Sequence, residues 1–189
     1  MKSLHICDIR PEPTLHDPAA RILYRAFAAL GNPTWPTVES ARTELDDCLT
    51  EGFICLGAIM DGELVAWGGM RPMYGWQTCE LHPLVVDPAR QGTGVGRALL
   101  AALEAAARER GAAGVLLGSD DQTGSTDAAD RRSPAAIAAA IRKGIRQLPG
   151  RPMHPAAFYR SAGYQLVGLV PDANGPGMPD ILFWKSLED

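Results

Sequence analysis

Gln91-Gly92-Thr93-Gly94-Val95-Gly96-Arg97 is the stretch of this 189-residue chain best suited to hold an anion. Leu84-Val85-Val86 before it reads as a buried strand, and Asp87-Pro88-Ala89-Arg90 as a turn. Three glycines, each separated by one residue, then open a segment of helical period. Val95, Leu99, Leu103 and Ala106 fall on one face of that segment, flanked by Leu100 and Ala107. The first turn of a helix leaves backbone N–H groups unpaired, and the helix dipole adds partial positive charge. Glycines let the backbone approach a bulky pyrophosphate, and Arg97 can add a charge-assisted contact. A plain tight turn is the simpler alternative. The spacing is not that of the dinucleotide loop, and no Gly-x-x-x-x-Gly-Lys-Ser/Thr occurs in the chain.

Around this stretch, the chain alternates strand and helix signals. Leu4 to Asp8 suits a first strand. Leu15 to Leu30 and Thr37 to Leu49 carry helical stripes, with Thr37 as a cap. Phe53 to Met60 and Glu63 to Met70 read as strands joined by the hairpin dipeptide Asp61-Gly62. Trp76 to Val86 is a longer strand, with a bulge expected at His82-Pro83 because proline cannot donate to a ladder. A helix from about Thr93 to Arg110 and a strand over Gly114 to Gly118 follow. Residues 122–153 then look like an insertion, either a lid or surface decoration. Within it Ser133-Pro134 starts an Ala-rich helix with Ile137, Ile141 and Ile145 on one stripe, ended by Pro149-Gly150. His154 to Ser161 is a short helix, and Tyr164 to Val170 and Ile181 to Lys185 are closing strands around a Gly/Pro loop. These signals predict one α/β (α+β) domain over residues 1–189, with a mixed, mostly antiparallel central sheet and helices on both faces.

Two motifs carry a family resemblance. Gln91-Gly92-Thr93-Gly94-Val95-Gly96 resembles the acyl-CoA-binding pattern Gln/Arg-x-x-Gly-x-Gly/Ala of the GNAT acetyltransferase superfamily. Ala156-Ala157-Phe158-Tyr159-Arg160-Ser161-Ala162-Gly163-Tyr164 is similar to that family's Ala-x-Phe-Tyr-x-x-x-Gly-Phe/Tyr pattern, on the last helix before the closing strands. The resemblance implies acetyl-CoA as cosubstrate and no metal. It implies that backbone groups of Leu84, Val85 and Val86 meet the pantetheine arm and acyl carbonyl, and that Gln91 to Arg97 hold the pyrophosphate. Many relatives carry an Asn seven residues before the tyrosine. Here that position is Pro152, so its contact is lost or supplied by another group.

Acyl transfer from a thioester to an amine needs a neutral amine, an oxyanion stabiliser and a proton for the leaving thiolate. Tyr159 falls where the family often places that acid; packing on the cosubstrate without chemistry is the alternative. Glu80 and His82 are the candidates to take the amine proton. By alternation Glu80, His82 and Leu84 share one face. Glu80 could equally hold a cationic substrate or be solvated. His154 suits a helix cap. Trp35 either packs in the core or lines a substrate pocket.

Acidic residues suggest the acceptor. Asp120 and Asp121 follow a core strand, and Asp172 and Asp180 bracket the Gly/Pro loop. If they converge with Glu80, the pocket suits a polycation; solvated loops are the alternative. The series Asp120-Asp121-Gln122-Thr123-Gly124-Ser125-Thr126, His154-Pro155-Ala156-Ala157-Phe158-Tyr159 and Val170-Pro171-Asp172-Ala173-Asn174-Gly175-Pro176-Gly177-Met178-Pro179-Asp180-Ile181 is similar to bacterial GNAT proteins described as aminoglycoside 6'-N-acetyltransferases. Alternatives are acetylation of a polyamine or peptide amine, and a non-catalytic CoA-binding regulatory module.

The remaining bounds are compositional. A net charge of −4 argues against a nucleic-acid or anionic-membrane partner and fits a cationic substrate. No apolar run approaches a membrane span, and the polar start does not read as a signal peptide, so a cytoplasmic protein is expected. A homodimer is left open. Cys7, Cys48, Cys55 and Cys79 show neither Cys-x-x-Cys spacing nor a visible histidine partner, so buried thiols in a reducing compartment are expected.

Overall fold

The computed structural model describes residues 4–188. These contain strands β1 (Leu4–Asp8), β2 (Ile54–Met60), β3 (Glu63–Met73), β4 (Thr78–Val86), β5 (Gly114–Asp120), β6 (Gln165–Val170) and β7 (Asp180–Ser186). The α-helices are α1 (His16–Ala29), α2 (Val38–Cys48), α3 (Val95–Glu109), α4 (Pro134–Lys143) and α5 (Ala156–Ser161). The fold is of the expected class, with the β1/β2, β2/β3, β3/β4 and β6/β7 ladders all antiparallel. The contacts divide the chain into two compact units. One runs to Val115 and takes in the return at Leu187; the other is Leu116–Ser186.

In the first unit the strand order is β1-β2-β3-β4. Successive strand residues point to opposite faces, and β3 shows what each face meets. Trp67 is fully buried in one cluster with Ala19, Ile22 and Leu23 of α1, Leu45 of α2 and Val85 of β4. Its indole N–H donates to the Ala19 carbonyl at 2.8 Å. Gly68, on the other face, lies under α3: a Cβ there would come 3.0 Å from Leu103 Cδ1. Leu99, Leu100 and Leu103 anchor α3 with 2% exposure or less, each contributing roughly 1.5–3 kcal/mol of burial. Local chemistry sets the ends of these elements. Thr37 and Ser40 form a reciprocal capping box at α2, worth about 1 kcal/mol. The Asp61-Gly62 turn leaves Met60 paired with Glu63.

The second unit has strand order β5-β7-β6. Its insertion folds back on itself. Thr126 bridges Gln147, Asp127 N–H donates to the Arg146 carbonyl at 3.0 Å, and Leu148 N–H to the Ser125 carbonyl at 2.7 Å. The buried Asp127 carboxylate accepts from Arg131 and Arg146, and those bonds hold it below the usual carboxylate range against the opposing cost of burial. Ser133 caps α4 through the Ala136 N–H, as expected. The helix ends earlier than the isoleucine stripe predicts, at Lys143. Gly144 turns the chain, and Ile145 is buried from the extended segment that pairs with Thr126.

Candidate active site

The glycine stretch forms a bare helix start. α3 begins at Val95, and Gly94 is its cap at φ +89°, with no side-chain cap hydrogen bond. Gly92 is also left-handed, at φ +74°. Gly94 brings no side chain to cap the first turn of α3, and open space surrounds both glycines. The loop is braced from behind. Thr93 Oγ1 donates to the Arg90 carbonyl at 2.6 Å, Gln91 Nε2 to the Val86 carbonyl at 3.3 Å, and Asp87 accepts from Ala89 N–H at 3.0 Å. Gln91, Thr93 and Arg97 are exposed. This is the arrangement an anion requires: a helix start without a capping side chain, no Cβ in the way, and a dipole of the right sign.

β4 corrects one expectation. Gly68 pairs with Leu84 but Met70 with Leu81, so one extra residue sits in β4 at the expected His82-Pro83 position. A bulge reverses side-chain alternation. Leu84 consequently lies on the α3 face, its Cδ1 only 3.2 Å from a Cβ built on Gly68, whereas His82 faces α2. Glu80, His82 and Leu84 do not share one face.

The structure pairs both base candidates. Glu80 Oε2 accepts from Arg71 Nε at 2.6 Å. His82 Nε2 lies 3.0 Å from Glu44 Oε1 of α2. The His82 hydrogen bond holds Glu44 below the usual carboxylate range, against the cost of its partial burial, with help from the Trp35 N–H. Trp35 is 8% exposed and sits in the core, edge-on to Phe27 at 4.4 Å and 6.1 Å from the His82 ring. It therefore underlies the Glu44–His82 pair. Burial pushes the Cys79 thiol up to about 11 and the Cys55 thiol up to about 12, so neither supplies a thiolate at neutral pH.

In the second unit, Tyr159 is nine-tenths buried on α5, its ring 5.8 Å from Tyr164 and 5.9 Å from Phe183. Burial raises its phenol to about 12, keeping it protonated. His154 caps α5, as expected: its Nδ1 accepts the Ala156 N–H at 3.1 Å. That assigns the ring proton to Nε2, which lies 3.3 Å from the Ser119 carbonyl. Burial holds this imidazole below its ordinary value, despite the nearby charges of Asp121 and Asp120.

The four aspartates have different surroundings. Asp121 is wholly buried and both its oxygens serve its own loop, accepting from Ser125 N–H at 2.6 Å, Thr126 N–H at 2.7 Å and the Thr126 hydroxyl at 2.8 Å. Its expected place facing a cationic substrate is thus corrected: it is a loop staple. Asp172 accepts from Gly177 N–H at 2.6 Å and pairs with Arg132 at 3.0 Å. Asp120 accepts from Asn174 Nδ2 at 2.5 Å. Asp180 stands over Gly118, where a Cβ would come 2.6 Å from its Oδ2. Residues 118 and 120 share a face of β5, so Asp120 lies on the face over which Asp180 stands.

Comparison with known proteins agrees with the family resemblance, and the family-model match includes the glycine stretch. The model for the Acetyltransferase (GNAT) family matches residues 19–131. The chain belongs to the GNAT acetyltransferase family. It is 36% identical over 95 residues to an aminoglycoside N(6')-acetyltransferase type 1 of Stenotrophomonas maltophilia, a match covering 46% of this chain and 62% of that protein. The matched stretch thus spans less than two thirds of that relative's length. A crystal structure of an aminoglycoside 6'-N-acetyltransferase complexed with coenzyme A superimposes with a TM-score of 0.83 at 30% identity, over 98% of each chain. The aminoglycoside 6'-N-acetyltransferase of Enterococcus faecium gives 0.80 at 31% identity, over 99% of this chain and 98% of that one.

In this GNAT chain, the first-turn N–H groups after Gly94 and the exposed Arg97 fit the diphosphate of acetyl-CoA. Pro152, at the position where many relatives carry Asn, offers no side-chain donor, and its carbonyl accepts from Gln147 at 2.8 Å. Sequence reading missed Glu44 and Arg71. Neither belongs to a motif, and each meets its partner through tertiary pairing, Glu44 across from α2 and Arg71 across the β3/β4 ladder. Among the described residues, no helix is long and apolar enough to cross a membrane.

Proposed function

We propose that this acetyltransferase moves the acetyl group of acetyl-CoA onto a primary amine of a small cationic acceptor, and that the acceptor is an aminoglycoside bearing a 6'-amine. The observation that carries the acceptor class is that Asp180 stands over the face of β5 that also carries Asp120, with Asn174 bonded to Asp120. Two carboxylates on one face favour a ligand with several ammonium groups over a neutral one. The two 6'-N-acetyltransferase structures that match nearly the full chain support the same reading.

In this reading the loop Gln91–Arg97 binds the diphosphate, and backbone groups of Leu84, Val85 and Val86 orient the pantetheine and acyl carbonyl. Glu80 and His82 are the groups on β4 able to take the amine proton. The Tyr159 phenol, protonated throughout the neutral range, supplies the proton that the departing thiolate needs.

A thiol-release assay with acetyl-CoA over a panel of amines tests the proposal. Aminoglycosides should turn over best, and added salt should raise the acceptor KM more than the acetyl-CoA KM. Asp180→Asn should raise the acceptor KM about fivefold, the size of a contact worth ~1 kcal/mol. A neutral or anionic amine proving the best substrate would remove the acidic-site reading. A polyamine or peptide amine proving best would replace the aminoglycoside. Acetyl-CoA binding without turnover of any amine would favour a regulatory CoA-binding module.

A further inference from the structure

The two proton-acceptor candidates on β4 differ in what holds them. Glu80 is paired with Arg71 through a 2.6 Å charge-assisted hydrogen bond that occupies its Oε2. His82 has the opposite arrangement. Glu44 Oε1 lies 3.0 Å from its Nε2, and the Glu44 side chain is 19% exposed. A carboxylate on one ring nitrogen fixes the ring orientation, places the proton on that nitrogen and stabilises the imidazolium formed when the other nitrogen gains a proton. The rest of the surroundings hold Glu44 in this role. The Trp35 N–H binds it from the core side, and Arg71 adds positive charge nearby, so Glu44 is ionised at neutral pH. The other groups around the pair are Glu80, neutralised by Arg71, and Cys48 on α2, whose thiol meets the His82 carbonyl at 3.4 Å. His82 itself keeps 34% of its side chain exposed.

We infer that Glu44 is a positioning residue, which holds the His82 ring with its proton on Nε2 and leaves Nδ1 to accept the proton of the acceptor's ammonium group. This rests on the amine-acetylation reading above. The proton balance closes. The ammonium nitrogen gives up two protons over the reaction. Its lone pair forms the new N–C bond, and the electrons of the broken C–S bond stay on sulfur. His82 takes the proton lost before attack, which frees the lone pair, and releases it to solvent; the sulfur takes its proton from Tyr159, and the second proton lost by the nitrogen restores the phenol.

Two measurements on the full chain test the inference. The first is a double-mutant cycle in single-turnover kinetics. Glu44→Gln should lower the rate about ten- to a hundredfold, with the acetyl-CoA KM unchanged. In a His82→Asn background the same change should cost less than about twofold, since Glu44 acts through a ring no longer present. An equal loss in both backgrounds would mean that Glu44 acts independently of His82 and would overturn the assignment. Glu44→Asp, which restores the charge, should recover part of the rate. The second measurement needs no turnover. Ring-nitrogen NMR of His82 should show the neutral tautomer with its proton on Nε2, redistributed in Glu44→Ala while the remaining amide spectrum stays that of a folded protein. An unchanged tautomer in Glu44→Ala would overturn the inference even in an active enzyme. The expected tautomer in a protein that acetylates nothing would sink the functional reading and leave the geometry of the pair standing.

Discussion

Asp121 holds Thr126 twice: its Oδ2 accepts from the Thr126 backbone N–H at 2.7 Å and from the Thr126 hydroxyl at 2.8 Å. With Oδ1 on the Ser125 N–H, the carboxylate closes the loop at the start of the insertion. A buried carboxylate cannot be exchanged cheaply for an amide, which brings two donors where acceptors are needed. Asp121→Asn should therefore cost roughly 2–3 kcal/mol, or about 5–10 °C of melting temperature. A thermal melt checks this. The aspartates expected to differ are Asp120 and Asp180, whose changes should move acceptor KM with little effect on the melt.

Gly94→Val should weaken acetyl-CoA binding. The backbone at φ +89° is a conformation that a β-branched residue avoids at a cost of roughly 1–3 kcal/mol. Relieving that strain rearranges the N–H groups at the start of α3. Calorimetry should show about ten- to a hundredfold weaker binding in a protein that still folds, because nothing lies within 4 Å of the added Cβ. Unchanged affinity would mean that the diphosphate lies elsewhere.

Tyr159→Phe separates packing from chemistry. The ring keeps its neighbours Tyr164 and Phe183 and loses one hydroxyl. If that hydroxyl protonates the thiolate, the single-turnover rate should fall roughly 10²–10⁴-fold with acetyl-CoA affinity held. The phenol also predicts alkaline behaviour. Its folded-state value of about 12 stands above the ordinary 10, so the folded state binds the proton more tightly. That contribution is complete below pH 10 and is lost as pH rises towards 12. Tyr159→Phe should flatten this part of the stability curve. A rate equal to wild type would leave the residue as packing.

His154 predicts the acidic side. Burial holds its imidazole below the ordinary 6.5, so the unfolded chain takes up a proton that the folded chain refuses. Stability is complete above about pH 6.5 and declines as pH falls through the folded-state value. Melting curves between pH 5 and 7.5 should show this slope, and His154→Asn should reduce it.

What was legible in the chain follows from which contacts are local. Gly94 before Val95, Thr37 before α2, Ser133-Pro134 before α4 and Asp61-Gly62 between β2 and β3 each act within a few residues, and each stands where expected. His82-Pro83 signalled a bulge, but its consequence was missed: one extra residue sends Leu84 to the opposite face from His82. Asp121 looked like a site residue because loop acids often are. Its partners Ser125 and Thr126 are near in sequence, yet loop closure leaves no periodic signature. Glu44 was invisible for a different reason. It lies on the polar side of α2, indistinguishable by pattern from a solvated glutamate until the fold brings His82 to it.

The central claim, that the chain acetylates a 6'-amine of a polycationic acceptor, is tested most directly by identifying the product. The enzyme is incubated with acetyl-CoA and either an aminoglycoside carrying a 6'-amine or a matched one carrying a 6'-hydroxyl, and the products are read by mass spectrometry and NMR. The account predicts the mass gain of a single acetyl group, on the 6'-nitrogen, with the first compound and none with the second. Equal acetylation of both compounds, or an acetyl group on another amine, would contradict it.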